Sequence, residues 1–135
     1  MIQGVGAARG LRWVQRGLAT PFLGLGGWCL LAPGTVERLS LQPAFVVDTV
    51  ASHVLVGAFG AQAMLCGLLI LIGRFSRQAF LVFGLVASLP FMVFNAYYVW
   101  VEPVFTAWML LDFVGNAAIL SLCMVGAAIA PPRRS

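Results

Sequence analysis

Long apolar runs separated by short polar breaks dominate the sequence. Three of them, at about residues 50–72, 78–101 and 105–130, each supply the roughly 20 helical residues that cross a bilayer core. A fourth run, at about residues 12–32, follows a basic leading segment. The pattern therefore predicts an all-α integral membrane four-helix bundle that forms a single transmembrane domain.

The connection at residues 33–49 is the only one with room for structure of its own. Its apolar and polar residues alternate too irregularly for a strand, which indicates a short interfacial helix. Asp48 or Thr49 then offers an N-cap for the next run. The first run also has the outline of a cleavable signal peptide, but Leu30 fits the small-x-small cleavage pattern poorly. The sequence favours a retained helix, kinked or loosened near Pro21 and the glycines that follow it.

Composition restricts the class of protein further. Apolar residues make up 61% of the chain and charged residues only 9%, against about a quarter in soluble domains, which excludes an ordinary soluble fold. The net charge of +4 comes from arginines that flank apolar runs. Membrane lipids with anionic headgroups are therefore the expected partner, and nucleic acid is not.

The arginines are divided unequally between the two sides that four crossings create. Seven fall on one side and only Arg38 falls on the other. By the positive-inside tendency, both termini are predicted to be cytoplasmic, which favours the cytoplasmic (inner) membrane. The seven are Arg9, Arg12, Arg16, Arg74, Arg77, Arg133 and Arg134.

Few polar side chains fall inside the predicted crossings, and helical angles decide which of them can meet. Asp112 and Asn116 are four positions apart and share one face of the fourth crossing. Asn95 lies on the third crossing, which a short turn makes the antiparallel neighbour of the fourth, so we expect Asn95 and Asp112 both about 10 Å inside the outer edge. The candidate ligand-binding residues are Asp112, Asn116, Asn95, Trp108, Tyr98 and His53.

Asp112 has two interpretations. As the only carboxylate placed inside the apolar slab, it can be a proton or cation site, or the polar anchor of a ligand pocket. Alternatively, it is a structural lock that ties two helices together through hydrogen bonds. For His53, the sequence favours a packing role near the surface. A further hypothesis is that His53 and Asp112 act together as the acid and base of a catalytic pair. The sequence otherwise indicates no catalytic residue.

The second crossing carries two opposed faces. His53 and Gln62 are nine positions apart and point about 180° from each other. The face below His53 holds Gly57, Gly60 and Gly67, small residues that permit close helix contact. We expect Gln62 in the bundle interior, and the glycine face against a neighbouring helix of this chain or of another subunit. That face is a reason to expect a homo-oligomer or a larger membrane complex.

Cysteine and histidine usage gives no sign of a cofactor. Cys29, Cys66 and Cys123 lie singly in three different runs, and His53 is the only histidine. This spacing favours neither a zinc site, nor a disulfide framework, nor a haem-ligand pair. No metal and no cofactor are predicted, and the cysteines are interpreted as small core residues.

Several short segments resemble small DoxX-like membrane proteins of bacteria, with a likeness that extends over about residues 12–130. The resemblance implies a compact four-helix bundle, and some such proteins serve as membrane partners of redox proteins. It implies no catalytic residue. The segments are Leu30–Pro33, Phe59–Gln62 with Gly67, the basic turn at Arg74 and Arg77, and Asp112–Asn116.

Three functions follow as hypotheses. The first is an accessory or structural subunit of a larger membrane assembly, because no reactive constellation is evident. The second is a lipophilic-ligand binder or transporter unit with a polar pocket around Asp112 in the outer half of the bundle. The third is a membrane enzyme that uses His53 and Asp112, which the sequence favours least.

Overall fold

The computed structural model describes residues 2–131, and the predicted all-α class is confirmed. A 3₁₀ turn at Pro43–Phe45 and a π-helical turn at Tyr97–Val101 complete the regular structure of these residues, apart from one isolated β-bridge. Arg133 and Arg134 lie outside the described residues. The helices are α1 (Ile2–Leu31), α2 (Pro33–Ser40), α3 (Val50–Ile72), α4 (Arg77–Ala96) and α5 (Met109–Ile129).

Three of the described helices are long and apolar enough to cross a membrane. They are α3, α4 with its continuation to Val101, and α5. The chain is thus a helical protein of membrane type. The longest helix, α1, is not among the three, and Gln15, Arg16 and Thr20 interrupt its apolar run.

The four long helices pack in an up-and-down arrangement. Along α1, Gly17 lies beside Leu122 of α5 and Gly10 lies beside Ile129, so α1 and α5 are antiparallel. Gln15 donates hydrogen bonds to the carbonyls of Ile70 (3.0 Å) and Gly73 (2.8 Å), which sets the end of α3 beside the start of α1. Helices α4 and α5 pair in the same antiparallel sense, since Asn95 meets Asp112 near one end and Phe80 meets Gly126 near the other.

Two glycines set the separation between α1 and α3. A Cβ atom built on Gly60 would lie 2.5 Å from the carbonyl oxygen of Gly26, and one built on Gly26 would lie 2.8 Å from the carbonyl oxygen of Gly60. Gly67 makes a similar contact with Leu23, at 2.8 Å from its Cγ. The two backbones therefore approach to a distance that no larger residue permits at these positions.

The apolar core lies near the end of the bundle where α1 starts and α5 finishes. Its largest fully buried side chains are Phe80, Leu18 and Ile70, and Phe75 packs on Phe80 with ring centroids 5.2 Å apart. Five arginines are exposed on the same part of the molecule: Arg9, Arg12, Arg16, Arg74 and Arg77. The polar residues of the bundle interior lie toward the opposite end, which we call the outer end.

Two helix boundaries differ from those expected. Helix α1 begins at Ile2 rather than near residue 12, and it continues through Pro21, where the kink stays a prediction. Helix α5 begins at Met109 rather than near residue 105. The backbone before it pairs instead with the segment after α2, because the Gln42 amide donates to the Val104 carbonyl at 2.8 Å. By contrast, α3 begins at Val50 after the N-cap Thr49, one of the two capping residues that the sequence offered.

The predicted orientation of α3 is wrong at Gln62. The side chain of Gln62 is exposed on the side of α3 that faces away from the bundle, while Gly60 and Gly67 are buried against α1. Gly57, one turn earlier, has no atom within 4 Å of a built Cβ. The close contact of α3 with α1 needs residues without side chains, and satisfying that contact turns the amide of Gln62 outward.

Candidate functional site

A hydrogen-bonded cluster joins α4 to α5 near the outer end, and we call Asn95, Asp112 and Asn116 the Asp112 centre. The Asn95 side-chain amide donates to Oδ2 of Asp112 at 2.6 Å. The Asn116 amide donates to the same oxygen at 3.0 Å and to the Asp112 carbonyl at 2.8 Å. Asn95 and Asn116 are buried, with 1% and 6% of their surfaces exposed. One carboxylate oxygen thus receives donors from two helices.

Asp112 occupies the first turn of α5. Because the helix begins at Met109, the residue lies about 4.5 Å along the axis from the helix start, less than half the distance expected from a start near residue 105. The change also makes Trp108 the residue that precedes the helix, where its indole is 62% exposed. Measured along α5, the Asp112 centre is therefore close to the helix start, whereas along α4 its Asn95 lies six residues, about 9 Å, before Val101.

Two buried polar atoms on the inward face of α4 make no hydrogen bond within the described part of the protein. They are Oδ1 of Asn95 and Oγ of Ser88, whose residue is fully buried. Leaving a buried acceptor unpaired costs about 1–3 kcal/mol. Turning the Asn95 amide over would set its oxygen against Oδ2 of Asp112, an acceptor against an acceptor, so the orientation that leaves Oδ1 unpaired is the one that forms the hydrogen bond.

Open space adjoins the centre at Gly115. This residue follows Asp112 by three positions, and a Cβ built on it would meet no atom within 4 Å. Positions three apart lie on the same side of a helix. The space beside Gly115 therefore flanks Asp112 on its own helix.

The aromatic candidates lie around the end of α4. Tyr98 stacks edge-on with Phe94 (centroids 4.8 Å apart) and lies 5.5 Å from the ring of Phe105. These rings form an apolar cluster, and Phe94 and Tyr98 are close in sequence to Asn95 of the Asp112 centre. Among the hydrogen bonds of the described residues, the phenol of Tyr98 contributes none to Asp112.

The structure separates His53 from this centre. His53 lies at the start of α3, where its Nε2 is 2.9 Å from Oδ1 of Asp48 and 3.8 Å from Oε2 of Glu37. Asp112 makes its hydrogen bonds with Asn95 and Asn116 instead. The acid and base pair hypothesised between His53 and Asp112 is therefore not formed by direct hydrogen bonding in this conformation.

Glu37, Asp48 and His53 constitute a second cluster, which we call the end clasp because it holds α2 against the start of α3. Glu37 is 4% exposed. Its Oε1 accepts the amides of Val47 (2.8 Å) and Asp48 (2.9 Å), and its Oε2 accepts the Ser52 hydroxyl at 2.7 Å. Successive backbone amides that converge on one anion form a strong binding geometry.

Hydrogen bonding shifts the acidity of this buried glutamate. The Asp48 amide, followed by the Ser52 hydroxyl, lowers the pKa of Glu37 below its ordinary value of 4.5. These bonds favour the charged form, since the donors stabilise a carboxylate more than a carboxylic acid. Asp48 adopts a positive φ of 48°, a conformation that Asp enters more readily than most residues, and its carboxylate also pairs with Arg38 at 3.1 Å.

Sequence reasoning did not identify Glu37 and Asp48 as members of a site. It placed Glu37 in the connection that contains the short interfacial helix and gave Asp48 as a possible N-cap, because nothing in their spacing indicates that residues 37, 48 and 53 converge. The available signal was the N-cap at Thr49, which fixes where α3 starts and hence that His53 faces the preceding loop. Cys29, Cys66 and Cys123 are free thiols, and in the described part of the chain none of them hydrogen-bonds to a side chain of either cluster.

Comparisons of the chain with protein-family models, with curated proteins and with solved structures find no match.

Proposed function

We propose that the chain crosses a bacterial cytoplasmic membrane four times, with α1 as the fourth crossing and both ends on the cytoplasmic side. Supporting this orientation, the exposed arginines of α1 and of the turn before α4 gather at one end of the bundle, whereas Arg38 lies at the other. Helix α1 is 30 residues long, enough to span a hydrocarbon core, and it packs along α3 and α5.

Cysteine labelling tests this orientation. In a background with the three native cysteines replaced by alanine, Thr35→Cys on α2 and Gln78→Cys on α4 both place a thiol at an exposed position. We expect a membrane-impermeant maleimide to label the first in intact cells, and the second only after the cytoplasmic membrane is permeabilised. The reverse pattern would refute the orientation, and labelling of both positions in intact cells would refute the crossing count.

We further propose that the protein binds a lipophilic molecule whose polar end enters the Asp112 centre. The observation that carries this proposal is the unpartnered Oδ1 of Asn95, buried next to a carboxylate. The free atom of Asn95 is an acceptor, so the ligand that fits it presents a hydrogen-bond donor such as a hydroxyl or an amine. The space beside Gly115 and the aromatic rings around Tyr98 supply room and apolar contact for the rest of the molecule.

The competing interpretation is a structural lock between α4 and α5, and one pair of variants separates the two. Gly115→Leu fills the open space and removes no polar group, while Gly57→Leu makes the same change at a glycine on α3 that is equally free of neighbours. We expect the organic extract of the purified protein to contain a stoichiometric small molecule in the wild type and in the Gly57 variant. It should be missing from the Gly115 variant, with unchanged thermal stability.

Asp112→Leu completes the test. A ligand anchor predicts loss of the copurifying molecule, and a lock alone predicts loss of thermal stability with the same extract as the wild type. If the wild-type extract holds only bulk phospholipid, in the proportion found with the Gly115 variant, the ligand proposal is wrong.

A second candidate function, an accessory or structural subunit, is favoured by Gln62. This residue is the thirteenth of the 23 in α3, near the middle of an apolar helix, and its amide is exposed among apolar neighbours such as Leu55 and Phe59. An amide facing lipid gains by pairing with a polar group of another helix, by about 0.6 kcal/mol on average. The resemblance to DoxX-like proteins agrees with this role, because some of those proteins are membrane partners of redox proteins.

Energy transfer between labelled chains in liposomes tests the subunit proposal. We expect Gln62→Leu to reduce association with a second copy or a copurifying protein, and Leu69→Ala, on the same exposed side of α3, to reduce it less. Equal effects of the two variants, or a wild-type chain that is monomeric at every protein-to-lipid ratio, would contradict it.

A further inference from the structure

The end clasp places three metal-ligating side chains within reach of one point. The candidate donor atoms of Glu37, Asp48 and His53 all lie within 4.8 Å of one another. One is an imidazole nitrogen and two are carboxylate oxygens, the donor types that protein zinc sites combine. The cluster lies outside the Asp112 centre and is independent of the function proposed above.

The separations of the donor atoms suit a small tetrahedral ion. Nε2 of His53 lies 2.9 Å from Oδ1 of Asp48 and 3.8 Å from Oε2 of Glu37. Two ligands with bonds of about 2.1 Å at the tetrahedral angle are about 3.4 Å apart. The two separations from Nε2 fall on either side of this value, and the carboxylate oxygens of Glu37 and Asp48 lie within 4.8 Å of each other, so side-chain movements of about 1 Å would bring all three atoms to bonding distance.

The surroundings orient these donors without using all of their lone pairs. Oε1 of Glu37 is held by two backbone amides, which directs Oε2 toward the imidazole. Asp48 engages Arg38 through Oδ2 and faces His53 with Oδ1. Fixed partners of this kind hold ligands in place around protein-bound metals.

A glycine keeps the approach to the imidazole open. A Cβ built on Gly34 would lie 2.8 Å from Nε2 of His53 and 3.5 Å from Oδ1 of Asp48. Any other residue at this position would press on the imidazole of His53 and would also contact the Asp48 carboxylate. Side chains of His53 and Asp48 are 36% and 47% exposed, which leaves a solvent-facing side for a water molecule as fourth ligand.

The charge of the cluster favours a cation. With both carboxylates ionised, Arg38 charged and His53 neutral, the four side chains sum to one negative charge. We propose that the end clasp is a binding site for a divalent transition-metal ion, with Zn²⁺ the best fit to one nitrogen and two oxygen donors. Binding at Nε2 requires the neutral imidazole to carry its proton on Nδ1, and it links α2 to α3 through the ion.

Calorimetric titration of the detergent-purified full chain with ZnCl₂ tests this site, using protein that carries no polyhistidine tag and has been treated with EDTA. We expect one ion per chain, and a loss of affinity of at least about tenfold in both His53→Gln and Asp48→Asn. Arg38→Gln is the matched control at the same end. It removes the competitor for Asp48 and should bind zinc at least as tightly as the wild type.

Cobalt(II) gives a second readout that needs no variant to fold. We expect the wild type to show the visible absorption bands of a four-coordinate cobalt ion. The near-ultraviolet charge-transfer band of thiolate ligands should be missing, which distinguishes binding at the end clasp from binding at the cysteines. The proposal is overturned by the absence of stoichiometric zinc uptake, by unchanged affinity in both ligand variants, or by a thiolate band.

Discussion

Adding one methyl group at Gly60 tests the glycine contact that positions α1 on α3. The new Cβ would lie 2.5 Å from the carbonyl oxygen of Gly26 and 2.7 Å from the amide nitrogen of Leu30. Both are backbone atoms inside α1, which cannot rotate away as a side chain can. Restoring ordinary contact at about 3.5 Å requires the two helices to separate by about 1 Å at this point.

The expected cost follows from that separation. Forcing extra volume into a close-packed contact destabilises a protein by about 1–3 kcal/mol. A radial gap of about 0.5–1 Å also removes a quarter to a half of the dispersion energy of neighbouring contacts such as Gly67 on Leu23. The higher helix propensity of alanine returns at most about 1 kcal/mol. We therefore expect Gly60→Ala to lower the free energy of unfolding by about 1–3 kcal/mol.

Gly57→Ala is the matched control, because it makes the same change one turn earlier on α3, where a Cβ meets no atom within 4 Å. Only the propensity effect applies there, so we expect no loss and a gain of up to about 1 kcal/mol. The assay is SDS-induced unfolding in mixed micelles followed by tryptophan fluorescence, to which Trp28 on α1 contributes. Equal stability of the two variants, or a larger loss at Gly57, would refute the α1–α3 packing described here.

Three further predictions concern the N-cap of α3, the two hydrogen bonds of the Gln15 side chain and the acidity of Glu37. Thr49→Ala removes the cap of α3 and should cost about 1 kcal/mol in thermal unfolding, whereas Thr49→Asn should retain most of it. Gln15→Leu removes two bonds to the end of α3 and should increase amide hydrogen exchange at Gly73 and its neighbours, with no change at the start of that helix. Glu37 has a lowered pKa when folded, so its contribution is complete above the ordinary value of 4.5 and is lost as the pH falls further. The melting temperature of the wild type should therefore fall more steeply than that of Glu37→Gln below about pH 4.5, and parallel curves would contradict this assignment.

The sequence predicted the features that depend on local signals. Helix α3 has its expected bounds because a capping residue, a continuous apolar run and a terminal glycine all mark it. The pairing of Asn95 with Asp112 also follows from sequence, since a short connection forces α4 and α5 to be antiparallel. The start of α5 was wrong because Val104 and Phe105 are as apolar as the helix itself. Their backbone partners come from the segment after α2, which local composition cannot indicate.

Gln62 illustrates a different limit. Angular spacing gave two alternatives, with either the glycine face or the Gln62 face turned inward, and the expected cost of a polar group in lipid decided between them. That reasoning left out the free energy gained by close backbone contact between α1 and α3, which requires glycine at both Gly26 and Gly60. The partner glycine lies on α1, so the sequence of α3 alone does not indicate which residues of the two helices meet.

The two ends of the bundle are stabilised by different kinds of interaction. At the arginine-rich end, Phe80, Leu18 and Ile70 pack in an apolar core. At the outer end, backbone and carboxylate hydrogen bonds predominate, as where Thr106 donates its amide to the Ser40 carbonyl at 2.9 Å. Apolar packing is insensitive to protons and ions, whereas paired carboxylates respond to both. Changes of pH or salt should therefore alter hydrogen-exchange protection at the outer end first, whereas truncation of the apolar core should lower global stability by a similar amount at every pH and so raise the pH at which acid unfolds the protein.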